Sequence, residues 1–248
     1  GPLTLAPSIR VDHSEEDAIR GAVRELFGFP DLRPGQLETI AAVRGGRDVL
    51  AVMPTGAGKS LCYQLPAFCD EDGVTLVISP LIALMKDQVE SLPPSLRALA
   101  TTINSTLDGD SLRQCIRDVA ADKYRLVYAA PERLRQPPFL HALRRAGVNR
   151  LVVDEAHCIS VWGHDFRPDY LFIGRARRDL GNPPLLAMTA TAPARVRQDI
   201  VRRMSRGDGA EGHEMVVVAT EPCRPNLMLE AIPVANHDER LQRLIAIC

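Results

Sequence analysis

Residues 151–170, LVVDEAHCISVWGHDFRPDY, decide how the rest of the chain is read. Leu151, Val152 and Val153 are consecutive, branched and apolar, which is the pattern of a strand buried on both faces. Asp154 and Glu155 follow where a parallel strand ends and a ligand crevice opens. Gly163 and Pro168 make the remainder a loop. It holds the single tryptophan, Trp162, together with His164, Phe166, Arg167 and Tyr170. Two carboxylates beside an aromatic, cationic loop point to metal-assisted chemistry joined to a surface on which flat ligands stack.

Strand-like apolar runs recur on either side, at 48–53, 74–79, 99–103, 125–129, 150–154, 185–189 and 215–219. Helix-like segments separate most of them, near 59–68, 82–91, 110–121, 137–145, 169–180 and 194–204. Such alternation implies right-handed βαβ crossovers: an α/β fold with a mainly parallel sheet and helices on both faces. Upstream, Ser14 before Glu15, Glu16 and Asp17 reads as a capping box opening one helix. A second helix is expected from Pro34 to the Gly45–Gly46 stop. Gly1-Pro2 has the look of a tag remnant, and 1–13 is expected to be flexible. Residues 14–222 then form the main domain. Residues 223–248 are expected to supply a hinge and the opening strand (227–232) and helix (238–247) of a second domain, the alternative being that they finish the first sheet.

At 248 residues the chain can bury one large core and the beginning of another. With 46% apolar and 25% charged residues it has the composition of an ordinary soluble domain, with no run long enough to cross a membrane and no signal pattern. An intracellular protein is expected, cytoplasmic or at the nucleoid in a bacterium and nuclear in a eukaryote. A net charge of −1 excludes global attraction to a polyanion, so nucleic-acid binding has to be local. The cysteines at 62, 69, 115, 158, 223 and 248 are scattered with no CxxC pair. They match reduced thiols rather than a zinc site or a disulfide framework. Only three of the 30 basic residues are lysines, and two of these, Lys59 and Lys86, fall inside motifs.

The first motif is Met53-Pro54-Thr55-Gly56-Ala57-Gly58-Lys59-Ser60, placed between a strand and a helix as a P-loop is. Its glycines let backbone N–H groups close around phosphate oxygens at a helix N-terminus. Lys59 would reach the β and γ phosphates of a nucleotide, and Ser60 would ligate Mg²⁺. Asp154 completes the metal site, partly through water, and Glu155 can deprotonate the attacking water. Met53 stands where the strict pattern has glycine.

Taken together, these motifs resemble the first RecA-like domain of a RecQ-type DNA helicase of superfamily 2, from about Phe27 to Asn226. The matching stretches are FGFPDLRPGQ (27–36), MPTGAGKS (53–60), SPLIALMKDQ (79–88), NST (104–106), APERL (130–134), DEAHCISVWGHDFRPDY (154–170), TAT (189–191) and RPN (224–226). In that superfamily the P-loop commonly begins with Pro, so Met53 conforms.

The resemblance implies roles by position. ATP and Mg²⁺ are the implied cofactors, with Thr55, Gly56, Ala57, Gly58, Lys59 and Ser60 around the phosphates. Gln36 would read adenine and Phe29 would stack on it where relatives often carry Tyr. Arg33 lies nearby, and Leu32 stands where an aromatic is common. Ser79 and Lys86 would hold the backbone of one DNA strand. Trp162, His164, Phe166 and Arg167 would form the aromatic-rich loop that senses single-stranded DNA, with Phe166 the more buried of the two aromatics. Thr189 and Thr191, joined by His157, would couple the nucleotide site to domain movement. Pro222-Cys223 replaces an aromatic–acid pair usual before the RPN motif. The implied activity is ATP-driven 3′→5′ unwinding, in DNA repair or recombination. Single-stranded or junction DNA is the implied partner, and a second RecA-like domain in cis would complete the cleft. The alternatives are a nucleotide-dependent nucleic-acid-binding module without motor activity, and an RNA helicase.

Overall fold

A computed structural model describes residues 9–54, 58–69, 72–104, 108–204, 214–220 and 227–233. The tag-like start, the hinge 223–226 and the helix expected at 238–247 lie outside the described residues. Each apolar run becomes a strand: β1 (Asp48–Val52), β2 (Val74–Ile78), β3 (Ala100–Ile103), β4 (Leu126–Ala129), β5 (Val148–Val153), β6 (Leu185–Thr189) and β7 (Glu214–Thr220). With β8 (Leu227–Pro233) they form one sheet in the order β3-β4-β2-β5-β6-β1-β7-β8. Every pairing is parallel except β7 with β8.

β8 departs from the sequence-based expectation of a second domain. It runs antiparallel along β7, from Glu214 opposite Pro233 to Thr220 opposite Leu227. Only residues 221–226 connect the two strands. A parallel crossover needs about a dozen residues or more, so the short connection favours an antiparallel neighbour.

The helices are α1 (His13–Phe27), α2 (Gln36–Arg44), α3 (Leu61–Cys69), α4 (Ile82–Glu90), α5 (Pro94–Arg97), α6 (Gly109–Ala120), α7 (Pro137–Ala146), α8 (Ile173–Asp179) and α9 (Ala194–Met204). Alternate strand residues serve opposite faces, as the period of two requires. Leu50, Leu76, Val127, Leu151 and Val153 join a core with α6 to α9. Val49, Ala51, Val77, Tyr128 and Val152 join another with α1 to α4. Both faces are therefore covered, which is why the central residues of the inner strands are apolar.

Three helix boundaries differ from expectation. α1 is capped by Asp12, whose carboxylate accepts the Glu15 N–H at 2.7 Å, and Ser14 lies inside the helix. α2 starts at Gln36 rather than Pro34, because Gly35 takes a left-handed conformation at φ 85°. The segment expected as one helix over 169–180 divides into a 3₁₀ turn, Pro168–Phe172, followed by α8.

A buried clamp gathers several of these elements. Arg177 of α8 is fully buried and donates to both carboxylate oxygens of Asp48 at 2.8 and 2.9 Å. It also donates to the Pro183 and Met204 carbonyls, while Asp48 accepts the Leu185 N–H. The starts of β1 and β6 and the end of α9 are thereby held to one guanidinium.

Candidate active site

The order β2-β5-β6-β1 brings four loops to the same sheet edge. Ile78 pairs with Val153, and Val52 with Thr189. Across the edge, the Asp154 N–H donates to the Ile78 carbonyl and the Met53 N–H to Thr189, at 2.9 and 3.0 Å. Ser79, Asp154, Thr189 and the P-loop thus leave adjacent strand ends, where ligands of open α/β sheets bind.

Thr55, Gly56 and Ala57 lie outside the described residues. Gly58, Lys59 and Ser60 enter α3 through a turn, with Ser60 accepting the Gln64 N–H at 2.9 Å. Gly58 has φ 70°, and a Cβ there would come within 2.6 Å of Gln36 Nε2 and 3.7 Å of Arg33 Cδ. Gln36, although 22 residues away, is buried against the P-loop. It donates from Nε2 to the Gly58 carbonyl at 2.9 Å and accepts the Arg33 N–H at 2.7 Å. The implied adenine reader is therefore held in place by the phosphate loop itself. Phe29 is 49% exposed, with its ring 6.1 Å from Phe27 and nearly parallel to it. Its open face is available to a base.

Asp154 and Glu155 end β5. Burial raises the pKa of Asp154, Lys59 opposes that rise, and the Glu155 charge reinforces it. A carboxylate that is costly to ionise, beside Lys59, suits a site completed by a divalent cation. Glu155 sits at φ 51° and donates its N–H to Asp154 Oδ1 at 2.9 Å.

Next comes His157, 5% exposed, with Nδ1 2.8 Å from Thr189 Oγ1 and 3.4 Å from Glu155 Oε2. Thr189 spends its only hydroxyl proton on the Thr191 carbonyl at 3.0 Å. Nδ1 must therefore carry the proton and donate to Thr189. Burial lowers the pKa of His157, with Glu155 acting the other way, so the ring is neutral near pH 7. Hydrogen bonds thus join His157 to Thr189 and Thr189 to Thr191, with the Glu155 carboxylate 3.4 Å from the ring.

In the loop, Trp162 is 62% exposed and Phe166 half-buried. His164 stacks on His157 with centroids 4.5 Å apart, so the loop touches that buried histidine directly. A Cβ on Gly163 would come within 2.7 Å of the His157 carbonyl, so only glycine allows this close return. Arg167 is turned to Asp165 at 3.2 and 3.3 Å. Lys86 is exposed on α4, near Glu90 at 3.9 Å. Ser79 is 2% exposed, and its hydroxyl accepts the Leu81 N–H. It shapes the turn into α4 and does not present itself on the surface.

His157, Cys158 and Asp165 place possible ligand atoms within 4.8 Å of one another. Burial pushes the Cys158 thiol up to about 12, leaving it protonated, and Arg167 already occupies the carboxylate.

Sequence reasoning missed a buried polar chain. The Tyr63 and Tyr128 hydroxyls lie 2.9 Å apart, and Gln64 Nε2 donates to Tyr128 at 3.3 Å and to Gln88 at 3.2 Å. It joins α3, which follows the P-loop, to α4. The signal for it was Gln64 in an otherwise apolar helix, since a buried amide has to find partners. Arg195, whose Cζ lies 4.6 Å from the Trp162 ring centroid, was missed as well.

A family model described as DEAD/DEAH box helicase matches residues 33–200. The probable ATP-dependent DNA helicase RecS of Bacillus subtilis (strain 168) is 39% identical over 223 residues, covering 90% of this chain and 43% of that protein. ATP-dependent DNA helicase Q5 of Mus musculus is 44% identical over 193 residues, covering 75% and 20%. ATP-dependent DNA helicase RecQ of Haemophilus influenzae is 41% identical over 191 residues, covering 77% and 30%. The chain thus spans less than half the length of these relatives. Among solved structures, helicase MrfA bound to DNA and AMPPNP superposes with a TM-score of 0.62 at 21% identity, over 92% of this chain and 31% of that one. Mycobacterium smegmatis helicase Lhr bound to ssDNA and AMP-PNP gives 0.60 at 22%, over 81% and 27%. At such identities the likeness establishes the fold.

Proposed function

Because the chain belongs to the DEAD/DEAH box helicase family, we propose that it is the first motor domain of a RecQ-type, ATP-dependent DNA helicase. The observation that carries this reading is a single connected edge of the sheet. Lys59, Asp154, Glu155, His157 and Thr189 meet there, and His164 of the aromatic loop stacks on His157.

In this reading Ser60 and Asp154 would hold Mg²⁺, which would supply positive charge to offset that of the phosphates. Lys59 binds the same phosphates, Gln36 and Phe29 hold the base, and Arg33 lies beside them. Glu155 takes the proton from the attacking water. His157, neutral and donating from Nδ1 to Thr189, lies beside the Glu155 carboxylate and ties its surroundings to Thr189. Trp162, His164, Phe166 and Arg167, with Lys86 on α4, bind one strand of DNA without reading its sequence. A second RecA-like domain, contributed by the rest of the protein, closes the cleft and supplies arginines to the γ-phosphate. Unwinding in the 3′→5′ direction, repair or recombination as the setting, and the nucleoid or nucleus as the place all belong to this proposal.

The test is Glu155→Gln in the full-length protein. ATP binding should persist while DNA-stimulated hydrolysis is lost. Equal loss of both would remove Glu155 as the base. Competition between DNA and RNA oligonucleotides separates this reading from that of an RNA helicase.

A further inference from the structure

α9 carries a residue that no motif marks. Arg195, in the first turn of that helix, lies with its guanidinium over the Trp162 ring, Cζ 4.6 Å from the centroid. Both side chains are exposed, so core packing does not force them together. The root of the loop is fixed to the same helix one turn further on. There the Ser160 hydroxyl donates to the buried Asp199 at 2.6 Å and accepts the Trp162 N–H at 3.2 Å. Arg195 and Asp199 are four residues apart and share one face of α9.

We propose that Arg195 is a single-stranded DNA contact. It backs one face of the Trp162 indole, leaves the other as the platform for an unpaired base, and turns its N–H edge toward the adjoining phosphate. The inference rests on the reading of 158–168 as a DNA-binding loop. A base that stacks on the open face keeps the Arg195–Trp162 contact, whereas a base that takes the place of Arg195 forfeits it. A planar guanidinium can stack through its face and still donate from its edge to phosphate oxygens. Charge distribution favours the same assignment. With a net charge of −1, attraction to phosphate has to come from a few placed cations. Arg167 is paired with Asp165, while among the described residues Arg195 makes no ion pair. Since α9 starts three residues after Thr191, a strand held by Arg195 and Trp162 also bears on the segment that grips His157.

The test is binding of a labelled oligothymidylate to the 248-residue chain at several salt concentrations. Emission from the single tryptophan reports on Trp162 alone. Arg195→Gln should weaken binding about 3- to 10-fold, as loss of an exposed cation–π and phosphate contact does. The slope of log K against log salt should fall by about 0.7, one phosphate on a single strand. Arg195→Lys should restore the slope but only part of the affinity. Unchanged or tighter binding by Arg195→Gln, with an unchanged melting curve, would overturn the proposal and make Arg195 a cover that DNA displaces. Trp162→Ala separates the two levels. If it weakens binding while Arg195→Gln does not, only the Arg195 contact falls. If it changes nothing, the DNA-binding loop falls and the Arg195 contact with it.

Discussion

His157, given a part in the proposed mechanism, also bears on stability. Burial holds its folded-state pKa below the unfolded value, which is about 6.5. As the pH falls through that value, the unfolded chain takes up the proton first, so the folded state loses stability on acidification. The urea midpoint should therefore drop between pH 7.5 and 5.5. The drop should be smaller in His157→Asn, and an identical pH profile in the variant would show that other groups cause it. Residues of this kind were legible because phosphate, Mg²⁺ and a proton acceptor need particular side chains at particular spacings. Arg195 was not legible. One arginine in a chain rich in them carries no spacing signal, and its meaning comes from stacking on a residue 33 positions earlier. Ser79 shows the converse, since its place in a motif said nothing of the turn that hides its hydroxyl.

The elements themselves could be read as apolar runs because strands covered on both faces have no polar side to interrupt them. Their ends were less legible. Asp12 and Ser14 are both good caps, and only the path of the chain into α1 selects Asp12. Helix and strand assembly depends on the Arg177–Asp48 clamp, whose members are 129 residues apart and belong to no local pattern. Arg177→Met should leave the Asp48 carboxylate buried without its partner and cost about 3–5 kcal/mol in urea unfolding. Adding Asp48→Leu should recover much of that loss. If the double variant is no more stable than the single one, the charge pair is not what the site requires. The Tyr63–Tyr128–Gln64–Gln88 chain works at the same scale, because it fastens α4, with exposed Lys86, to the helix that follows the P-loop.

Across the whole molecule, the described residues proposed to bind nucleotide leave adjacent strand ends of a single sheet. The 248-residue chain should therefore bind ATP but turn it over slowly. A version extended to the length of its relatives should be faster by about 10³-fold or more, the scale of a supplied arginine finger. Comparable DNA-stimulated turnover by both would show that this domain is sufficient. Strand order also sets a timetable. β1, which leads into the P-loop, has β6 and β7 as its only neighbours in the sheet. Well over a hundred residues have to leave the ribosome before either neighbour exists, and parallel partners this remote make for slow folding. Until then, four consecutive apolar residues, Val49 to Val52, emerge without an edge to join, an exposure to aggregation during synthesis. Slowing translation after residue 189, once β6 has emerged, should help the nascent chain more than slowing it earlier.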